Sequence, residues 1–286
     1  MKPIIVYHKG CLDGFCAAYV AARALGDVEL LPVHHGDPLP PPGQMLDRDV
    51  WMFDVTLKRE DMEKLFLSNP RARVLDHHAS AQRDLVALAK NYPDRVTFDL
   101  GRSGAGLAID TFFPGERSNI TPTPLALLAL VVEDRDLWRF RLAGTREVCA
   151  FLRTLPMTLL DWDDGLESIS DMREMGEPIC AYMDELVEQI AKHAQLDDWA
   201  EGTVLIANSS VLQSEVGAKL AKESPSGVGV VWYQDGDQRR YSLRAREGGP
   251  DVSMWAKERG GGGHKASAGF SMTAPMYPIR SIGALA

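Results

Sequence analysis

The chain has 286 residues, of which 45% are hydrophobic and 25% are charged, and its formal net charge at pH 7 is −9. This length and composition predict a soluble globular protein with one large domain or two ordinary ones. The acidic balance argues against a broad basic face for long nucleic acid, and no stretch is apolar enough to predict a membrane span. A small anionic ligand held in one local pocket is compatible with these numbers.

The cysteines and the first residues indicate a reducing compartment. The four cysteines show no spacing typical of a disulfide framework, and the start MKPIIVYHKG lacks the regions of a signal peptide. Both features favour a cytoplasmic protein. Three of the thiols, those of Cys16, Cys149 and Cys180, fit positions of core packing.

Apolar, β-rich runs alternate with helical patterns through the first hundred residues. Strands are predicted over PIIVYH, VELLPVHH, VWMFDV, ARVLDHH and RVTFDL. Helices are predicted over DGFCAAYVAARALG, LKREDMEKLFL and AQRDLVALAKNY. This alternation is typical of βαβ units, so we expect an α/β domain with a parallel sheet and helices on both of its faces.

Helical spacing dominates from about residue 100 to 200, and strand patterns return after it. We predict a first domain over residues 1–178, a connecting helix over 179–200, and a smaller α/β domain over 201–286. Within the second domain, GVGVVWYQDGDQRRYSLRAR predicts a hairpin that turns near Asp235 and Gly236.

Aspartate and histidine side chains occur where several predicted strands end, and one more acid lies in the segment VVEDRDLW. These residues are His8, Asp13, Asp54, Asp76, His77, His78 and Asp134. The carboxyl ends of parallel strands meet at one edge of the sheet, where open α/β folds bind ligands. Several carboxylates with two histidines are the mixed oxygen and nitrogen ligands expected for Mn²⁺ or a similar divalent metal. An aspartate after a strand is also a common N-cap, which is the alternative interpretation of Asp13 or Asp54 taken singly.

The stretch RGGGGHKASAGF, residues 259–270, is the second informative segment. Consecutive glycines let the backbone approach a ligand and present N–H groups to an anion, with His264 and Lys265 beside them. A flexible linker is the alternative. Nearby, Arg244 and Arg246 alternate along a predicted strand, which suits either a phosphate-binding face or a solvated edge strand.

Taken together, these motifs resemble the DHH phosphoesterase superfamily with its DHH-associated C-terminal domain. HKGCLDG resembles the first motif of that family, Phe53-Asp54 the second, Asp76-His77-His78 the third, EDRDLW the fourth, and GGGGHKASAGF the signature of the C-terminal domain. The resemblance covers nearly the whole chain, because all five motifs occur in order.

The resemblance implies two metal ions, expected to be Mn²⁺. It implies that His8 and Cys11 hold one ion, that Asp13, His77 and Asp134 hold the other, and that Asp54 bridges them. Asp136 is the alternative to Asp134 within the fourth motif. The expected catalytic residues are Asp54, Asp76 and His78, with His78 facing the substrate phosphate and Asp76 orienting a neighbouring ligand.

The first motif departs from the family pattern at Cys11, where an acid is common. A thiolate is softer than a carboxylate and favours Zn²⁺ or Fe²⁺ over Mn²⁺. The identity of the first metal is therefore left open by the sequence.

The resemblance also implies a function similar to that of an oligoribonuclease or a bisphosphonucleotide phosphatase. We expect a metal-dependent phosphohydrolase for short oligoribonucleotides, linear dinucleotides or 3′,5′-bisphosphonucleotides, and a homodimer is compatible with it. The alternatives are a non-catalytic nucleotide-binding or sensing protein and a pyrophosphate or polyphosphate hydrolase. The expected substrate-binding residues are His78, Ser103, Arg244, Gly261, Gly262, Gly263 and His264.

Overall fold

The computed structural model describes residues 1–34, 37–38, 42–166 and 169–273. The chain divides into two units, Met1–Ala181 and Tyr182–Ala286. The last part of the predicted second domain, residues 274–286, lies outside the described residues. Among the helices of the described ranges, none combines the length and the apolar character that crossing a membrane requires.

The first unit begins with five strands that alternate with helices, as the sequence predicts. Its strands are β1 (Ile4–His8), β2 (Glu29–Val33), β3 (Val50–Phe53), β4 (Ala72–Asp76) and β5 (Val96–Phe98). The helices between them are α1 (Leu12–Leu25), α2 (Pro42–Met45), α3 (Arg59–Ser68), α4 (Ala79–Asp84) and α5 (Val86–Asn91).

These strands form a parallel sheet in the order β2-β1-β3-β4-β5. The order reverses between β1 and β3, and α/β sheets bind ligands beyond the carboxyl ends of the strands at such a switch point. One face of the sheet, with Ile5 and Phe53, packs against α1. The other face, with Val6 and Met52, packs against the α3 region. Alternate strand residues therefore fill two cores, and the predicted α/β class is confirmed.

The remainder of the first unit is helical. Its helices are α6 (Gly104–Phe112), α7 (Pro124–Asp136), α8 (Thr145–Leu152), α9 (Leu159–Leu166) and α10 (Ile169–Ala191). Helix α10 continues into the second unit. The connecting helix predicted over residues 179–200 is corrected: α10 begins ten residues earlier, and residues 195–199 form an exposed edge strand whose polar residues gave no apolar strand signal.

The second unit is built on a mixed sheet. Its elements are β6 (Gln195–Trp199), β7 (Gly202–Asn208), α11 (Gln213–Glu223), β8 (Val228–Asp235), β9 (Gln238–Ala245), α12 (Val252–Glu258), β10 (Gly262–His264) and β11 (Ser267–Thr273). The strand order is β10-β11-β9-β8-β7-β6. Strands β7 and β8 are parallel, and the other neighbours are antiparallel. Helix α12 packs on the sheet face of Val230 and Leu243, and α11 packs on the face of Val231.

Candidate metal centre and substrate-binding face

Three neighbouring strands deliver polar side chains to the carboxyl edge of the first sheet. His8 ends β1, Asp54 follows β3, and Asp76 ends β4 immediately before His77 and His78. Asp54 has φ +58, and a non-glycine residue in this left-handed region is uncommon away from turns and functional sites. Asp54 is buried at the sheet edge, and the following helix begins at Arg59 with Lys58 as its N-cap, so the interpretation of Asp54 as an N-cap does not apply.

His77 lies among three carboxylates. Its Nε2 is 3.2 Å from Asp54 Oδ1, 3.6 Å from Asp136 Oδ2 and 3.8 Å from Asp13 Oδ2. Only 5% of the His77 side chain is exposed. Asp13, His77 and Asp136 therefore form one group of side chains whose ligand atoms could hold a metal ion.

Asp54 connects that group to a second one. His8 Nδ1 is 3.5 Å from Asp54 Oδ2, and His8, Cys11 and Asp54 together form another group with metal-ligand geometry. A third group is made by Asp54 with Asp76, His77 and His78. Because Asp54 belongs to two groups and contacts the histidine of the remaining one, it has the position that the resemblance implies for a bridging carboxylate.

The carboxylate of Asp76 organises the triplet. It accepts hydrogen bonds from the backbone N–H groups of His77 (2.6 Å) and His78 (3.2 Å), and its Oδ1 lies 2.7 Å from His78 Nδ1. Asp76 is fully buried, whereas 28% of the His78 side chain is exposed. Asp76 thus orients both histidines, and His78 is the one that a substrate can reach.

Helix α6 positions Asp13 through its N-terminal N–H groups. Gly104 N donates to Asp13 Oδ2 at 2.6 Å, and Ala105 N donates to Asp13 Oδ1 at 2.9 Å. A Cβ on Gly104 would lie 2.9 Å from Asp13 Oδ2, so glycine permits this close approach. The first donors of a helix have no partner within the helix and favour negative charge. Asp13 is therefore fixed from a helix 91 residues away in sequence.

Ser103 and Glu133 complete this N-terminus. Ser103 is the N-cap of α6: its Oγ accepts from Gly106 N at 3.2 Å, and its own N–H donates to Glu133 Oε2 at 3.2 Å. Glu133 is 3% exposed and bonds Arg102 at 2.9 Å and Arg117 at 3.1 Å. The sequence-based role of Ser103 in substrate binding is corrected, because its side chain is fully buried and supports the helix that orients Asp13.

The structure places Asp134 and Asp136 in different surroundings. The Asp134 carboxylate accepts from Arg141 N (3.0 Å), Leu142 N (3.0 Å) and Thr145 Oγ1 (2.6 Å). Asp136, in contrast, faces His77. Residues two apart on a helix point in directions about 200° apart, so only one acid can face the cluster. The choice of Asp134 as a ligand is corrected to Asp136.

Electrostatic interactions within the cluster are strong. Burial raises the pKa of Asp13, and the charges of Asp136 and Asp54 raise it further. Burial also opposes the charged form of Asp54, but the hydrogen bond with His77 and the nearby His8 outweigh it and lower the pKa of Asp54. For His77, burial favours the neutral form, yet Asp54 and the other carboxylates raise its pKa to about 10. The carboxylates around His77 therefore favour a positive charge at this position.

This donor set fits divalent metal ions. It combines carboxylate oxygens with imidazole nitrogens, which suit Mn²⁺, and adds the Cys11 thiol, which suits softer ions. The Oδ2 atoms of Asp54 and Asp76 are buried, and within the described residues neither has a hydrogen-bond partner. A buried carboxylate oxygen with no donor is costly, and a bound cation would offset that cost. The residues that could hold ions are His8, Cys11, Asp13, Asp54, His77 and Asp136.

In the second unit, strand register aligns three polar residues. Arg244 pairs with Ser267 across β9 and β11, and Ser267 pairs with His264 across β11 and β10. Paired residues point to the same face of a sheet, so the three side chains form a row on the face that also carries α11. Arg244 Nη2 donates to Ser214 Oγ of α11 at 2.7 Å. We call this row the basic face.

The glycine run is part of the folded second unit, so its alternative interpretation as a flexible linker does not apply. The N–H groups of Gly260 and Gly261 donate to carbonyls at the end of α12, and β10 begins at Gly262. A Cβ on Gly261 would lie 2.1 Å from Gly269 O, and one on Gly263 would lie 2.5 Å from Ala268 Cα. At Gly262 a Cβ would meet nothing within 4 Å. Gly261 and Gly263 therefore permit close packing, and their predicted role in substrate binding stays a prediction. Among the three glycines of this stretch, Gly262 offers open space beside the basic face.

Sequence reasoning missed the supports of the cluster. Glu133 stands in the fourth motif, and Gly104 and Gly106 stand in SGAG at the start of α6, but nothing in their spacing connects them to Asp13. In the sequence, Glu133 is one acid near several arginines, and this was a weak indication of a buried supporting residue. Gly104 and Gly106, which follow Ser103 with one residue between them, were a stronger indication. Such glycines suggest that another group approaches the start of a helix closely.

Comparisons of sequence do not assign the chain to a family. No family model matches this chain. The chain is 26% identical over 295 aligned positions to an uncharacterized protein of Acanthamoeba polyphaga mimivirus, covering 94% of this chain and 67% of that protein.

Solved structures show which fold this is. An exopolyphosphatase-related protein from Bacteroides fragilis matches with a TM-score of 0.55 at 12% identity, covering 96% of this chain and 88% of that one. RecJ from Thermus thermophilus, solved with Mn²⁺, matches with a TM-score of 0.54 at 15% identity, covering 95% of this chain but 49% of RecJ. The DHH domain of a member of a family of ribosomal proteins matches with a TM-score of 0.52 at 14% identity, covering 94% of this chain and 82% of that one. The chain shares the fold of these proteins, one of which is a DHH domain, and this confirms the fold expected from the motifs.

Proposed function

We propose that this protein is a divalent-metal-dependent phosphohydrolase that acts on small nucleotides. The observation that carries the proposal is the convergence of three potential metal-binding groups on Asp54 and His77 at the switch point of the first sheet. Divalent ions in such a donor set supply a nucleophile at neutral pH and stabilise charge on phosphoryl oxygens, which is the chemistry that phosphate ester hydrolysis needs.

The residues of the chain would divide the remaining work. Asp76 orients His78 through its Nδ1, which directs the partly exposed ring toward a substrate phosphate. Helix α6 keeps both oxygens of Asp13 in place, and Asp54 is fixed by its burial. Such prior ordering matters because a ligand that is already oriented needs no reorganisation when charge develops on the substrate.

The basic face of the second unit carries groups that could bind a phosphate of a nucleotide. Arg244 can pair with a phosphate through two N–H groups, and His264 adds a hydrogen-bonding group two strands away. Gly262 leaves room beside them for a backbone approach. A nucleotide has sugar and base groups besides its phosphates, and pyrophosphate lacks them.

We propose that the cluster binds two Mn²⁺ ions, with Zn²⁺ or Fe²⁺ as alternatives for the ion that contacts Cys11. The neighbour solved with Mn²⁺ supports a metal in this fold. Burial and the nearby Asp54, Asp13 and Asp136 raise the pKa of the Cys11 thiol well above its usual value, so Cys11 would act as a ligand only when a cation stabilises its thiolate.

The test is a hydrolysis panel with Mn²⁺ at saturating concentration. It compares a 3′,5′-bisphosphonucleotide, RNA of two to five nucleotides, a linear dinucleotide and pyrophosphate. We expect the nucleotides to be hydrolysed in preference to pyrophosphate, with Asp54→Asn as the inactive control. Faster hydrolysis of pyrophosphate would overturn the substrate class. If none of the four substrates reacts in a metal-loaded protein, the chain is a binding or sensing protein instead.

A further inference from the structure

A basic and aromatic segment follows directly after the metal cluster. Residues 135–146, with the sequence RDLWRFRLAGTR, contain four arginines and one acid, Asp136, and are flanked by the acids Glu133, Asp134 and Glu147. We call this segment, which includes the last two residues of α7 and the first two of α8, the arginine–aromatic loop. Its arginines and aromatic residues are Arg135, Trp138, Arg139, Phe140, Arg141 and Arg146.

The two aromatic rings of this loop are kept together with a cation, and one of them is at the surface. The Trp138 side chain is 38% exposed, and its ring centroid lies 4.9 Å from that of Phe140 at an angle of 81°. The Arg135 guanidinium lies 4.5 Å from the Trp138 centroid and 6.0 Å from the Phe140 centroid. An exposed indole next to a guanidinium presents a flat apolar surface within a positive field, and bases of single-stranded nucleic acid stack on such surfaces.

The loop is held in a conformation that its own residues disfavour. Trp138 has φ +56 and Phe140 has φ +50, and bulky residues rarely adopt the left-handed region. Asp134 enforces this path: its carbonyl accepts from Arg139 N at 2.8 Å, and its carboxylate accepts from Arg141 N and Leu142 N at 3.0 Å. Such strain persists only where surrounding contacts fix it, and it concentrates at functional sites.

The loop also begins inside the candidate metal centre. Asp136 Oδ2 lies 3.6 Å from His77 Nε2, and Trp138 follows two residues later. Consecutive Cα atoms are about 3.8 Å apart, so the Cα atoms of Asp136 and Trp138 are separated by less than about 8 Å. The residue with the exposed ring therefore lies, by its Cα atom, within about 8 Å of the Cα atom of a candidate metal ligand.

We propose that the arginine–aromatic loop is a nucleobase-binding subsite. Trp138 stacks on the base next to the reacting phosphate, and the arginines of the loop offer N–H donors to the flanking phosphates. This inference rests on the proposed function and narrows its substrate class to base-bearing phosphate esters. Inorganic pyrophosphate, which has no base, gains only from the charge.

Equilibrium dialysis of a two-nucleotide RNA and of pyrophosphate tests this subsite without requiring turnover. Binding is measured in EDTA and in Ca²⁺ for the wild type, Trp138→Ala and Trp138→Phe. Loss of one base-stacking contact should weaken dinucleotide binding about tenfold in Trp138→Ala. Trp138→Phe should recover most of that loss because it restores an aromatic face, and pyrophosphate binding should stay within about twofold of wild type throughout, since it involves no stacking.

Trp232 provides a matched control. It is a partly exposed tryptophan of the second unit with Arg239 4.6 Å from its ring centroid, nearly the same pairing as Arg135 and Trp138. It pairs with Tyr241, on the sheet face opposite to Arg244. Trp232→Ala should therefore leave dinucleotide binding unchanged.

The outcomes separate this subsite from the proposed function. Wild-type dinucleotide affinity in Trp138→Ala, equal losses for dinucleotide and pyrophosphate, or no dinucleotide binding by the wild type would each overturn the subsite. If the hydrolysis panel shows no reaction but dinucleotide binding depends on Trp138, the proposed function fails and the subsite stands. If the panel shows nucleotide hydrolysis but Trp138→Ala binds the dinucleotide as tightly as the wild type, the subsite fails and the proposed function stands.

Discussion

The two units carry their polar residues in opposite ways. At the carboxyl edge of the first sheet, Asp13, Asp54 and His77 are buried, and contacts of 3.2 to 3.8 Å link the histidine to both acids. On the basic face of the second sheet, Arg244 and His264 are partly exposed and are separated by one intervening strand. The first arrangement suits chemistry that requires fixed ligands, and the second suits binding of a solvated substrate. Substitutions should therefore have sharp effects at the first site and graded effects at the second.

Loss of the shared ligands should have the greatest effect on activity. Asp54→Asn should abolish hydrolysis, because the amide lacks the charge that attracts two cations, while asparagine tolerates the left-handed backbone of this position. His77→Ala should do the same. Rates and metal content by mass spectrometry check this at saturating Mn²⁺. If both variants retained more than about a tenth of the wild-type rate, equivalent to less than about 1.4 kcal/mol of transition-state stabilisation, the two-metal assignment would be wrong.

The fourth motif offers a comparison between neighbouring acids. Asp136→Asn should lower metal content and activity because this carboxylate faces His77. Asp134→Asn should keep the metal content but cost about 1–3 kcal/mol of stability, since its carboxylate accepts three hydrogen bonds from the loop that follows. Metal analysis and urea unfolding measure the two effects. The reverse pattern would restore Asp134 as the ligand.

Glu133 and Asp110 bind the same two arginines with different burial. Both carboxylates pair with Arg102 and Arg117, but the Glu133 side chain is 4% exposed and that of Asp110 is 42% exposed. Glu133→Gln should therefore cost about 3 kcal/mol of unfolding free energy, as expected for breaking a buried pair, whereas Asp110→Asn should cost under about 1 kcal/mol. Urea unfolding measures both costs from the shift of the midpoint, provided that the slope of the transition is unchanged. Equal costs would contradict the role of burial.

The glycines of the second unit separate packing from binding. Gly261→Ala should destabilise the chain by about 1–3 kcal/mol because its Cβ would lie 2.1 Å from a carbonyl oxygen. Gly262→Val should change stability by less than about 0.5 kcal/mol but raise KM for a dinucleotide severalfold. A small artificial phosphodiester should be hydrolysed normally by Gly262→Val. Equal losses on both substrates would show that Gly262 matters only for structure.

A peripheral ion pair of the second unit should give the weakest response. Arg259 Nη2 donates to Glu201 Oε2 at 2.9 Å, and this hydrogen bond lowers the pKa of Glu201. A depressed carboxyl pKa contributes stability above the unfolded value of about 4.3, and that contribution is lost as pH falls through the folded value. Glu201→Gln should therefore lower the unfolding midpoint at neutral pH, and the difference from wild type should vanish in acid.

Local sequence was sufficient to predict the strands, the helices between them and the polar residues that follow β1, β3 and β4. Alternation of apolar runs and helical spacing are local properties, and parallel strands end at one edge, so no tertiary information was needed. The motifs in their order also predicted the fold class. His8, Asp54, Asp76, His77 and His78 were all identifiable from the places where the predicted strands end.

Contacts formed on folding distinguish between acids that the sequence leaves equivalent. Asp134 and Asp136 are two residues apart, and the rotation of α7 against the sheet selects the one that faces His77. Ser103 and Glu133 gained their roles from the meeting of α6 with Asp13, across 91 residues. The glycine run became part of an edge strand because β11 supplies its partners. These outcomes depend on which side chains meet in the folded chain, and no local pattern of residues contains that information.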